Sequence, residues 1–141
     1  MSRIETHQAT SLLTAVSNAM VALHKEQFGR GPTLARSHFA GADALVCILQ
    51  EVLLPAERKM VASGEHQRVR ETRMAFQVAT TDEFVAAVEG IVGRKVRAFA
   101  SATDVVQNVV FENFAFEPDG GGDGDGRVPP TSVGEAQAGS A

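Results

Sequence analysis

Arg68, Arg70 and Arg73 crowd one short stretch, with Glu65 and Glu71 among them. If the stretch is helical, Arg70 and Arg73 are three residues apart and share a face. Two guanidiniums on one face can hold a carboxylate or phosphate through paired N–H bonds. The same run also reads as a solvated helix side, whose exposed ion pairs contribute under about 1 kcal/mol each. Arg30 sits in the corner Gly29-Arg30-Gly31-Pro32. A phosphate-binding glycine loop follows a strand and opens a helix, so that helix N-terminal amides meet the anion. Here the order is helix, corner, strand, and the lysine and hydroxyl of a P-loop are missing. The corner therefore reads as structural, with Arg30 free to touch an anion on a partner. Arg94, Lys95 and Arg97 open a later strand. Alternation puts Lys95 and Arg97 on one face, away from Val96 and Ala98. That face is a polar outer surface, a protected edge, or a docking patch for an acidic partner or lipid headgroups.

Other chemistry finds little support. His7, His24, His38 and His66 share no metal-ligand spacing, and HExxH is absent. Cys47, the single cysteine, lies in an apolar run with no base near it in sequence and reads as a small core residue. Acid–base work by Glu57 or Glu71 needs a burial that sequence does not display. DGDG lacks the twelve-residue ligand spacing and closing Glu of an EF-hand loop. No nucleophile–base pair or cofactor fingerprint assembles, so the expectation is a non-enzyme with no catalytic residue, cofactor or metal.

These residues need elements to place them. Leu12, Val16, Met20 and Leu23 recur at helical spacing and predict an amphipathic helix from about residue 5 to 27, closed by Gly29. Leu34–Phe39 and Ala44–Leu49, separated by AGAD, predict a hairpin. The second run, ALVCIL, is nearly continuous apolar and reads as a central strand covered on both sides. Pro55 and Glu57 suit the first turn of a short helix ending near Ser63-Gly64. A longer helix spans about residues 65–92. Met74, Val78, Val85, Val88 and Val92 form a near-heptad stripe on it, and Gly93 ends it. Thr80 and Glu83 have capping-box spacing, which offers a kink or a restart there. KVRAFAS and QNVVFENFAFE, linked around Thr103-Asp104, predict two last strands. On the second, Val109 and Phe111 take one face and Phe114 and Phe116 the other, unless a bulge intervenes. The fold class is α+β, in the order α-β-β-α-α-β-β. It has a four-stranded, mainly antiparallel sheet, with helices packed on one face.

With 44% apolar and 21% charged residues, the 141-residue chain suits one core-bearing domain over residues 1–118. Residues 119–141, rich in Gly, Asp and Pro, cannot bury enough surface to offset their ordering entropy and read as a disordered tail. A net charge of −4 and the absence of Trp and Tyr argue against nucleic acid. No apolar run is long enough to span a bilayer, and the N-terminus lacks a secretory h-region. A cytoplasmic protein without membrane insertion is expected.

The order FGRGPTLARSHFAGADALVCIL, LLPAE, GEHQRVRETRMAF, IVGRKVRAF and VVFENFAF resembles the MpsC family, from about Leu12 to Glu117. The family takes its name from a sodium-translocating, membrane-potential-generating system. Its short helix begins Leu-Thr-Pro-x-x-Glu. Leu54 replaces the threonine cap here, at about 1 kcal/mol of local support, so a looser helix start is expected. The resemblance implies a soluble accessory or interaction protein that works with membrane-transport subunits, peripheral to the inner face of the membrane. Self-association as a homodimer is expected from the stripe on the long helix. The alternative is a small-molecule or anion sensor using Arg70, Arg73 and Arg30.

Overall fold

The computed structural model describes residues 3–118. Its elements are α1 (Arg3–Phe28), β1 (Leu34–Phe39), β2 (Ala44–Gln50), α2 (Pro55–Ala62), α3 (His66–Val92), β3 (Val96–Asp104) and β4 (Val109–Phe116). The predicted order stands. The strands form one antiparallel sheet, ordered β1-β2-β4-β3. The expected tail lies outside the described residues.

One face of the sheet carries the core. Leu45, Cys47 and Leu49 of β2 and Val110, Phe114 and Phe116 of β4 point to it, under Val16 and Met20 of α1 and Phe84 and Val88 of α3. Each set repeats at its element's own period, two on strands and near four on helices. The apolar pattern thus fixes which way each element turns.

The Gly29–Pro32 corner is tight for local reasons. Gly29 takes φ +83°, and its N–H closes α1 on the Lys25 carbonyl at 2.8 Å. A Cβ on Gly31 would come within 3.2 Å of Val21 Cγ1, so any larger residue would push the corner a few tenths of an ångström off α1.

Three expectations change. ALVCIL is central, but among the described residues it is covered on one side: Val46 and Ile48 face away from the helices and are half-buried. Strand β3 runs on through Ala102–Asp104, and the turn falls at residues 105–108, where Asp104 Oδ1 accepts from the Val106 and Gln107 amides. The register shift lies on β3, between Val96 and Ala98, while β4 keeps strict alternation. Arg97 is therefore unpaired, Val96 turns inward and Ala98 outward, and the simple alternation expected for Lys95 and Arg97 fails. The single long helix expected over about residues 65–92 stands as α3, with neither a restart nor a cap at Thr80. The Thr80 and Thr81 hydroxyls each donate to a carbonyl four residues back, at 2.7 Å, and the helix continues.

The predicted stripe on α3 splits as well. The buried side is Val69, Arg73, Thr80, Phe84 and Val88, whereas Met74 and Val78 are 62% and 71% exposed. Met74 lies one residue, about 100° of turn, from the inward Arg73.

Candidate functional site

The arginines do different work. Arg73 is buried and faces inward from α3. Its Nε donates to Glu57 Oε2 at 2.9 Å, its Nη2 to Glu57 Oε1 at 2.5 Å and to the Val52 carbonyl at 3.1 Å. Its guanidinium also lies 3.9 Å from the Phe28 ring centroid. The charge is thus matched by one carboxylate in a forked geometry and covered by an aromatic face. Glu57 Oε1 also accepts the Leu54 amide at 2.8 Å. The start of α2, expected to be loose without a hydroxyl cap, is held by Glu57 from inside.

Arg70 is exposed, and its Nη1 meets Gln67 at 3.5 Å. Arg70 and Arg73 do line one recess of about 230 Å³ between α3 and β3, with Met74, Gln77, Ser101 and Thr103. Arg94 is a clamp. It donates to the Ala42 and Glu117 carbonyls and to Asp43, at 2.7–2.8 Å, tying the β1–β2 turn to the end of β4. Lys95 and Arg97 are exposed, and Arg30 is half-exposed at its corner. The six cations share no single site: Arg30, the Arg70–Arg73 recess and the Arg94 clamp lie on different elements.

A polar rung crosses the helix-covered face of the sheet. Ser37, Cys47, Glu112 and Ser101 are successive cross-strand partners. Ser17 of α1 meets Ser37 at 2.7 Å, and His24 Nε2 of α1 meets Glu112 Oε2 at 2.7 Å. His24 Nδ1 and Glu112 Oε1 are buried and make no hydrogen bond. His24 and Glu112 line an inner cavity of about 30 Å³, together with Phe28, Phe76, Phe84 and Phe99. That cavity shares Arg73, Gln77, Ser101 and Thr103 with the larger recess. Burial pushes the Cys47 thiol up to about 11, opposed by the Ser37 and Ser17 hydroxyls and aided by the nearby Glu112 carboxylate. The thiol is a protonated core group. Among the described residues no cluster of His, Cys, Asp and Glu could hold a metal ion.

The His24–Glu112 pair was missed in the sequence although signals were there. His24 continues the inward series Val16, Met20 at four-residue steps, and Glu112 has the parity of Val110 and Phe114. A carboxylate and an imidazole at core register announce a buried pair.

The second feature is the other side of the sheet. No described helix covers it. Ile48 and Phe111 pair across its centre, with Val46 and Val109 beside them, and Phe111 is 36% exposed. Along β3, Ala98, Ala100 and Ala102 rise from it ahead of Asp104, and Ala98 and Ala100 leave with Ala44 and Ala115 a shallow apolar trough of about 290 Å³. Large apolar surface left on a folded chain marks an association site.

The described residues form a two-layer α+β domain in which no described helix covers one sheet face and none is long and apolar enough to cross a membrane. Residues 8–118 match the family model described as Na+-translocating membrane potential-generating system (MpsC), and the chain belongs to that family. Comparison with curated proteins and with solved structures returned no match.

Proposed function

We propose that this chain is a non-enzymatic accessory subunit of a membrane-potential-generating, ion-translocating system, acting by protein–protein association. The observation that carries the reading is the uncovered apolar sheet face. The family's description names a system of membrane transport, which supports protein partners there. No described helix is long and apolar enough to cross a membrane, so the described domain's contribution is contact with the conducting components. It sits at the inner face of the membrane, and self-association belongs to the same reading. The test is co-purification of full-length chain from detergent-solubilised membranes of its own host, beside the Phe111→Asp variant. Ion-transport components are expected with the wild type and at least tenfold depleted with the variant, about 1.4 kcal/mol of contact energy. Equal recovery in both contradicts the reading.

A sensor role is the second reading, favoured by the two unpartnered buried atoms of His24 and Glu112 beside the α3–β3 recess. Such atoms cost about 1–3 kcal/mol each, and a ligand that completes them regains part of it. Because Glu57 already balances Arg73, a bound molecule meets one free guanidinium, that of Arg70, and one buried carboxylate. The recess suits a small zwitterion better than a simple anion. Thermal-shift titration with free amino acids checks this: a dose-dependent rise in Tm, lost in Glu112→Gln, supports it, and a flat response removes it.

A further inference from the structure

We infer that the occupant of the bare sheet face is a second copy of this chain, packed sheet to sheet about a twofold axis parallel to the strands. The inference rests on the association reading above and refines it: this face joins two copies, and the transport components meet the dimer so formed, so breaking the face loses both.

Three observations lead there. The first is the composition of β2: Val46 and Ile48 make its apolar run continuous, as in strands covered on both sides, yet the described residues cover one. The second is relief. The outward rungs run Arg36–Ile48–Phe111–Ala102 and His38–Val46–Asn113–Ala100, from β1 across to β3. Bulk stands on β1 and the two central strands, and the β3 side is a trough of alanines. A twofold axis parallel to the strands lays β1 of each copy over β3 of the other, and β2 over β4. Long side chains from one copy then enter the alanine trough of its mate, and Ile48 meets Phe111 at the centre.

The third is charge. Arg36 lies on the β1 edge of this face, with His38 one rung on, and Asp104 lies on the β3 edge. The parallel axis sets Arg36 over Ala102 of the second copy, one rung from its Asp104, a step of about 7 Å that an arginine side chain reaches. A twofold axis perpendicular to the strands would lay β1 over β1 and oppose Arg36 to itself. Charge therefore selects the first arrangement. Four strands at about 4.8 Å spacing and four rungs at about 6.8 Å give a footprint of roughly 520 Å² per copy. Over both copies that reaches the ~1,000 Å² that specific interfaces need.

The test is sedimentation equilibrium of the full-length chain at micromolar to tens-of-micromolar concentration. The account predicts a species of about 30 kDa, twice the 14.9 kDa chain mass. Phe111→Asp is expected to leave monomer with an unchanged circular dichroism spectrum. Arg36→Gln and Asp104→Asn, the latter keeping the turn acceptor, should each weaken the dimer several-fold, and the double variant less than the product of the two. A monomer throughout the range, or a dimer indifferent to Phe111→Asp, overturns the inference. A monomer whose position 111 carries a photo-crosslinker that captures a different protein overturns the second copy alone. A monomer that captures nothing sinks the association reading too.

Discussion

At the scale of single residues, the pair Glu57–Arg73 bears most on folding. Its two-point contact is buried, and it joins α2 to α3 and to the Val52 carbonyl. Replacing Glu57 by Ala leaves a buried, unmatched guanidinium and an uncapped Leu54 amide. A loss of about 3–5 kcal/mol is expected in denaturant titration, with part recovered in Glu57→Ala/Arg73→Met. The pair His24–Glu112 should respond differently. Because two of its atoms are unpartnered, the double replacement His24→Leu/Glu112→Leu is expected to fold with a Tm no lower than wild type. A strongly reduced Tm there would mean that the pair holds the fold together. Cys47 gives a pH signature. Its folded value, about 11, lies above its ordinary 9.0, so the unfolded chain ionises first as pH rises. Its contribution to stability is present below pH 9 and is lost as pH climbs toward 11. Iodoacetamide at pH 8 should label Cys47 slowly in the native protein and rapidly in denaturant; equal rates would contradict its burial.

At the scale of elements, what holds the β2–α2 connection is a side chain from another hairpin. Asn108, at φ +60°, accepts the Val52 and Leu53 amides on Oδ1, both at 2.9 Å, and its carbonyl accepts the Glu51 amide. Asn108→Ala frees two part-buried amides and imposes a left-handed alanine; a loss of about 2–4 kcal/mol is expected in thermal unfolding. Element types and order were legible because glycines and helical periodicity punctuate the chain at Gly29, Gly41, Gly64 and Gly93, all at positive φ. What was not legible is equally local. Thr103-Asp104 reads as a turn because Asp104 does form one, but from the last position of the strand. The bulge at Arg97 has no glycine to announce it. The heptad-like stripe of α3 misled because valines there serve two surfaces, Val88 the core and Val78 solvent.

At the scale of the molecule, the sheet face and the interlayer pair were the parts that sequence hid. A continuous apolar strand says that both sides are covered without saying whether one chain or two does the covering. The Arg70–Arg73 pairing was plausible by spacing, yet a helix face cannot be judged until its inward carboxylate, Glu57, is placed sixteen residues away. The arrangement that results puts the chain's balanced charges inside and its unbalanced apolar area on one side. The most direct test installs a photo-crosslinking residue at position 111, on the bare face, and at exposed position 82 on α3, in full-length chain expressed in its own host. The account predicts strong covalent capture of protein from position 111 and at least tenfold less from position 82. Equal yields from the two positions, or none from position 111, would contradict it.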